Sequence, residues 1–590
     1  MTRRRLIFAL CASAGLAGQP PAPAAGAERG SASERLGALL ETEWEYRLRE
    51  SPTFASSLGD RRYNDRWPDL GLEALERRAR HHQQVLERLA RIPLGRLLPG
   101  DRLNHTLFAK ALQSEIAEYR LGLHLIPLNQ RGGIQTAHEL ADGLPFETVK
   151  DYEDWIARLQ AFPTYMDQTI GLLKQAIRRR LVHPKVIARR IPDQIAAQII
   201  DDPTASRFYD PCERFPRTFG GADKQRLEAA AAKAIRERVI PAFEKLHAFF
   251  TERYLPAGYD RVGAWQFPDG KAFYAARARH YTTTDLSPAR IHEIGRREVA
   301  RIRGEMDRVI EQVEFKGTFA EFLEFLRTDR QFYYTDGDEL LAAYRALSKR
   351  IDPSLVKLFR TIPRMPYGVE PIPADIAPDT TTGYYRPPAA DGSRAGTYFV
   401  NLYRPEMRPT YEMEALSLHE AVPGHHFQIA RAMELKDLPA FRRYTGTTAY
   451  VEGWALYAES LGDELGLYRD PYAKFGQLTY EMWRAVRLVV DTGMHDLGWT
   501  RAAAIGFFKA NAAKTEYDII NEIDRYIAWP GQALAYKIGE LKFKELRARA
   551  TQALGERFDL RAFHDCVLEH GAVPLDVLEA VVDEWVASQR

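Results

Sequence analysis

The stretch His419-Glu420-Ala421-Val422-Pro423-Gly424-His425-His426-Phe427-Gln428 opens as a helix carrying a metal ligand and then interrupts its own pattern. A zinc hydrolase needs three protein ligands, an open position for water and a carboxylate beside that water. The common solution is His-Glu-x-x-His on one helix. Its histidines share a face about 6 Å apart along the axis, and its Glu serves as base. His419-Glu420 begins this way, but four residues on stands Pro423. On a straight helix His426 would face with His419 yet lie about 10 Å along the axis. His425 would lie about 9 Å along and face elsewhere. Pro423 and Gly424 permit a local unwinding between Ala421 and His425 that brings one of the two into range. Spacing alone does not decide between His425 and His426.

Outward from this stretch the chain reads as helix. Apolar residues recur at helical spacing at Leu36, Leu39, Leu40 and Trp44, and again at Leu72, Leu75, Ala79, Leu86 and Leu89. Tyr152 to Leu181 predicts two helices broken at Pro163. Lys224 to Tyr254 predicts a long helix interrupted at Pro241, and Pro288 to Val313 another, capped by Ser287. Between 362 and 409 the composition turns to Pro, Tyr, Thr and Gly and ends in a strand candidate, Gly396 to Leu402. The expected fold is mostly α, with a few short strands just before the motif helix. The expected organisation is a signal peptide over 1–27, a helical region over 28–361 and a catalytic region over 362–590.

The chain has 590 residues, with 82 basic against 80 acidic side chains and a net charge of +2. That balance gives no reason to expect nucleic acid or an anionic membrane as partner. Three cysteines, Cys11, Cys212 and Cys566, are too few for a disulfide framework or a thiolate zinc site. Cys212 and Cys566 are read as buried thiols rather than a bridge. At the start, Arg3-Arg4-Arg5 precedes an apolar run from Leu6 to Leu16 and the small-residue pattern Ala25-Gly26-Ala27. This is the layout of an export signal, with a loose fit to the twin-arginine type, and it predicts a periplasmic or extracellular protein. Leu10 before Cys11 argues against lipidation.

The stretch His419 to Gln428 resembles the signature of the bacterial family known as domain of unknown function 885, grouped with the zincin metallopeptidases. Tyr450-Val451-Glu452-Gly453-Trp454-Ala455-Leu456-Tyr457, Asp491-Thr492-Gly493-Met494-His495 and Tyr526 with Pro530 to Gly539 support the resemblance. It implies a two-lobed helical body with a deep cleft, similar to thimet oligopeptidase and angiotensin-converting enzyme, and one zinc ion per chain. It also implies a third ligand from a Glu on the following helix, which is Glu452, with Glu459 as rival. The Gly424-His425 pair resembles the one that closes the motif in related helical peptidases, which favours His425.

On this reading Glu420 is the general base and His419, His425 or His426, and Glu452 hold zinc. Tyr536, His495 or Tyr526 donates to the oxyanion. The strand carrying Tyr398 and Val400 pairs with an extended substrate. One of Arg484, Arg487, Arg525 and Lys537, with Arg487 and Lys537 foremost, holds a substrate carboxylate. The substrate is a peptide, or a small amide or ester attacked by the same apparatus. A helical binding protein without activity is the reading from another class, and Glu420 beside the first histidine argues against it.

Overall fold

The computed structural model describes residues 31–374, 377–392 and 394–590. The expected leader at 1–27, with Cys11, lies outside the described residues. The fold is mostly helical, with one small sheet. The longer helices are numbered here in chain order. Ala32–Glu50 (α1) starts at Ser31, whose hydroxyl accepts from the Glu34 amide while the Glu34 carboxylate accepts from the Ser31 amide. Leu36, Leu39 and Leu40 are buried as their spacing predicts. Leu72–Ala90 (α2) buries Leu89 and packs Leu75 and Leu86 against the core as expected, with Ala74 and Val85 buried beside them, while Leu72 is exposed. Pro99–Leu121 (α3) follows.

Two expected helix breaks do not occur. Val149–Arg179 (α4) runs straight through Pro163. An interior proline costs about 3 kcal/mol. Leu159, Phe162 and Met166 beside it are all fully buried, each worth about 1.5–3 kcal/mol, so packing outweighs the lost hydrogen bond. Gly221–Ala234 (α5) passes through a π turn at Ile235–Val239 into Ile240–Phe249 (α6) and a second π turn at Phe250–Tyr254. Each widened turn lies just ahead of a proline, Pro241 or Pro256. There it relieves the clash the ring would make with the preceding turn.

Gly270–Thr282 (α7), Pro288–Gln312 (α8), Phe319–Thr328 (α9) and Gly337–Ile351 (α10) lead to the sheet. Ser287 caps α8, accepting from the Arg290 amide at 3.2 Å. The strands are Tyr367–Pro371 (β1), Gly383–Arg386 (β2) and Gly396–Val400 (β3), in the order β1-β3-β2. β3 is parallel to β1, with Tyr367 opposite Gly396. It is antiparallel to β2, with Gly383 opposite Val400. The expectation that β3 pairs with substrate is therefore corrected: both its edges are already bonded, and Tyr398 and Val400 are fully buried.

After the sheet come Met413–Glu420 (α11), His425–Glu434 (α12), Thr448–Ser460 (α13), Pro471–His495 (α14), Arg501–Asn511 (α15), Glu516–Ala528 (α16) and Ala535–Leu554 (α17). Leu560–Leu568 (α18) and Leu575–Ser588 (α19) complete the chain. One hydrophobic core gathers side chains from Leu107 to Val586, drawing on both sides of position 362. Two helix crossings are set by glycine. A Cβ on Gly295 of α8 would stand 2.6 Å from the Leu488 Cβ of α14. One on Gly539 of α17 would stand 1.9 Å from the Ala449 carbonyl oxygen of α13, and Gly453 faces Gly539 there. Cys212 and Cys566 are buried free thiols. No described helix is long and apolar enough to cross a membrane.

Candidate metal centre

α11 ends at Glu420 and α12 begins at His425, so the helix is broken over Ala421–Gly424. Ala421 and Gly424 have non-helical backbone angles, and the Val422–Pro423 peptide is cis. A Cβ on Gly424 would stand 2.0 Å from the His419 carbonyl oxygen, so only glycine lets the chain fold back this closely. The Trp454 indole donates to the Pro423 carbonyl at 2.7 Å and ties the break to α13.

The fold-back brings the His419 and His425 rings to 4.7 Å between centroids, nearly perpendicular. Glu452 on α13 completes the group. Its Oε2 lies 3.6 Å from His419 Nε2 and 3.4 Å from His425 Nε2. One ligand atom from each of the three lies within 4.8 Å of the others. His419 Nδ1 is engaged by Glu459 Oε1 at 2.8 Å, which leaves Nε2 to face Glu452. A carboxylate behind a histidine in this way fixes the ring and its tautomer. Glu459 is thus a supporting carboxylate, about two helical turns beyond Glu452 on α13.

The electrostatics favour positive charge between these groups. Burial opposes protonation of His419, but Glu452, Glu459 and Glu420 outweigh it and raise the imidazole to about 9. Burial would raise Glu452, yet His425 and His419 hold it well below the usual carboxylate range. Glu452 Oε2 and His425 Nδ1 are buried without a hydrogen-bond partner. Two imidazoles, one carboxylate and no thiolate form a donor set that suits zinc. Burial pushes the Glu420 carboxyl up, against the pull of His419 and His425.

The remaining expected residues divide. His426 is corrected: its Nε2 donates to the Met365 carbonyl at 3.0 Å and its Nδ1 accepts from the Tyr385 hydroxyl at 2.9 Å, so it clamps the sheet and is away from the metal group. His495 is corrected too. Its Nδ1 accepts from the Ala264 amide and its Nε2 donates to the Tyr526 carbonyl, both at 3.0 Å in full burial. The Tyr526 hydroxyl accepts from Trp483 and Arg487 and donates to Glu522, leaving nothing for an oxyanion. Lys537 is fully buried among Glu481, Glu298 and Glu540 and meets no substrate. Arg487 is buried, bonded to Glu522 and stacked at 4.2 Å on the Tyr536 ring, and does not itself reach solvent. Tyr536 alone of the three donor candidates stays partly exposed, its hydroxyl 3.5 Å from Gln532 Nε2. Burial raises its pKa, and the charge of Glu452 adds to that. Sequence reasoning missed Glu522 and Arg131, whose positions carry no motif.

The family model described as "Bacterial protein of unknown function (DUF885)" matches residues 52–582. The chain belongs to the DUF885 family. Among solved structures, it is similar to "the putative lipoprotein from Colwellia psychrerythraea" at 30% identity and a TM-score of 0.90, covering 95% of this chain and 100% of that one. A "putative lipoprotein of unknown function from Shewanella oneidensis" shares the fold at 17% identity and a TM-score of 0.69, over 94% and 99% of the two chains. No curated protein matches this DUF885 chain.

Proposed function

We propose that this DUF885 protein is an exported zinc-dependent peptidase with a zincin-like site. The observation that carries the proposal is the convergence of His419, His425 and Glu452 with Glu459 behind His419. His419, His425 and Glu452 would hold the ion. Zinc would supply positive charge that polarises a carbonyl and acidifies water.

The chain's own residues do the rest. Glu420 lies next to His419 and its carboxylate has no hydrogen-bond or ion-pair partner among the described residues. A free carboxylate there can take the proton of an attacking water and pass it to the leaving amine. The raised pKa suits it to give the proton back. Tyr536, kept protonated by burial, donates toward the developing oxyanion. A two-lobed body with a cleft would admit the peptide between the N-terminal helices and α17. Export is supported by the leader-like residues 1–27 and by the description of the Colwellia relative as a "putative lipoprotein".

Elemental analysis of protein purified without added metal should find about one zinc per chain. A peptide panel should show hydrolysis that Glu420→Gln abolishes while zinc is retained. Well under one equivalent with no gain on reconstitution, or wild-type cleavage by Glu420→Gln, would sink the proposal.

A further inference from the structure

Next to Tyr536 lies a concentration of positive charge that the peptidase chemistry described above does not use. Arg487 donates to the Tyr526 hydroxyl and stacks on the Tyr536 ring, Arg525 lies over the Tyr526 ring, Glu522 is bonded to both guanidinium groups, and Arg131 comes within reach of the charges of Glu522 and Arg525. Arg525 is satisfied, by Glu522 at 2.8 Å and the Gln532 side-chain oxygen at 2.6 Å. Arg487 spends Nε on Tyr526 and Nη2 on Glu522, while its Nη1 is buried with no partner. The Arg131 guanidinium has no hydrogen bond or ion pair among the described residues. Three guanidinium groups thus gather around Glu522 in a chain whose net charge is only +2. The unpaired donors of Arg131 and of Arg487 Nη1 are ones that a bound anion would satisfy.

Arg131 is also held in place. Asn129 and Gly132 bridge each other across a tight turn, and the Asn129 side chain accepts from the Arg131 amide at 2.8 Å. Gly133 closes the turn with φ at +145°, where a Cβ would stand 2.3 Å from that of Leu128. The Gln130 side chain donates to the Asp524 carbonyl of α16 at 3.1 Å. The turn therefore delivers Arg131 from the N-terminal half to the helix that carries Glu522 and Arg525. Arg131 is exposed, yet burial among its neighbours pushes its pKa down. Tyr536 links these guanidinium groups to the metal group: its ring stacks on Arg487, and it stands on α17, which packs directly against α13, the helix of Glu452.

We infer that Arg131, backed by Arg487 and Arg525, forms a carboxylate-binding subsite next to the metal group, filled by the C-terminal carboxylate of the substrate peptide. The identity of the ligand rests on the peptidase reading; the anion site does not. A planar guanidinium offers a carboxylate two parallel hydrogen bonds, and the enzyme would then remove one or two residues from the chain end.

The test is binding rather than turnover. Full-length Glu420→Gln protein is titrated calorimetrically with acetylated tripeptides, each as free acid and as amide. The acid is expected to bind at least tenfold more tightly. Arg131→Ala should erase the difference and Arg131→Lys should keep part of it. The melting temperature should hardly move in either variant, since Arg131 has no internal partner to lose. Equal affinity for acid and amide, or a preference that survives Arg131→Ala, overturns the subsite. An amidated peptide ending in Glu that binds as tightly as the acid overturns the assignment to the chain end. If wild-type protein cleaves no peptide while the acid preference holds, the peptidase reading fails and the subsite stands.

Discussion

At the scale of single residues, Glu459 tests how far the metal group depends on what lies behind it. Its Oε1 holds His419 Nδ1 at 2.8 Å, and the Arg484 guanidinium lies 3.5 Å from the same oxygen. Removing a carboxylate behind a metal-binding histidine typically weakens metal affinity about 10–100-fold. Glu459→Gln should do so in a chelator competition, and unchanged affinity would show that His419 needs no orienting partner. His425→Ala should lose zinc, whereas His426→Ala should keep it and lower stability, because His426 joins Met365 and Tyr385. A variant pair with the opposite metal contents would reverse the ligand assignment. His419, Glu420 and Glu452 were legible in the sequence because they lie in short motifs. The choice between His425 and His426 was not, because it turns on a fold-back made by Gly424 against a backbone oxygen. Lys537, His495 and Tyr526 misled for a different reason. A polar residue in an apolar helix reads alike whether it is satisfied inside the core or aimed at a ligand. Arg131 left no trace, since only the tertiary fold brings it to α16.

At the scale of elements, the periodic helices were legible and their interruptions were not. Pro163 and Pro241 looked like ends, but the burial of Leu159, Phe162 and Met166, and a π turn before Pro241, carry the helices through. β3 was legible as a strand, while its central place in the sheet depends on β1 and β2, which have weaker signals. The crossing of α13 and α17 decides the site most directly, because Glu452 sits on the first and Tyr536 on the second. Their backbones touch at Gly453 and Gly539, 2.5 Å from an added Cβ on Gly453. Gly539→Ala must push the helices apart. Overpacking of this kind costs about 1–3 kcal/mol or more, so a clear fall in melting temperature and weaker zinc binding are expected together. Gly304 of α8, which has nothing within 4 Å of an added Cβ, is the contrast. Gly304→Ala should stabilise by about 0.5–1 kcal/mol through helix propensity. If both variants melted like wild type, close backbone approach could not be what sets the α13–α17 crossing.

At the scale of the whole molecule, stability should depend on pH through histidines sealed in the core. Burial pushes His183 and His495 down to about 4 and His564 to about 3, despite the backbone carbonyl that each ring engages. The three rings lie in separate parts of the fold, each almost fully buried. Below pH 6.5 the unfolded chain protonates these rings while the folded protein keeps them neutral. The unfolded state then binds more protons, and stability falls as pH drops from 6.5 toward 4. A shift of this size is worth about 3 kcal/mol per ring. Asp491 acts in the opposite sense. Burial raises it to about 7 although Tyr274 and the Gly531 amide donate to it. Its contribution is complete below the ordinary carboxylate pKa and is lost as pH rises toward 7. Three histidines outweigh one aspartate, so the melting temperature should fall steadily between pH 6.5 and 4. Asp491→Asn keeps an acceptor for Tyr274 and Gly531 and removes the buried charge. It should raise the melting temperature at pH 8 relative to wild type and make the acid loss steeper. Calorimetric melts of both proteins from pH 8 to pH 4 check the argument. A wild-type melting temperature that stays level from pH 7.5 to pH 5 would mean that the core histidines take up protons without unfolding.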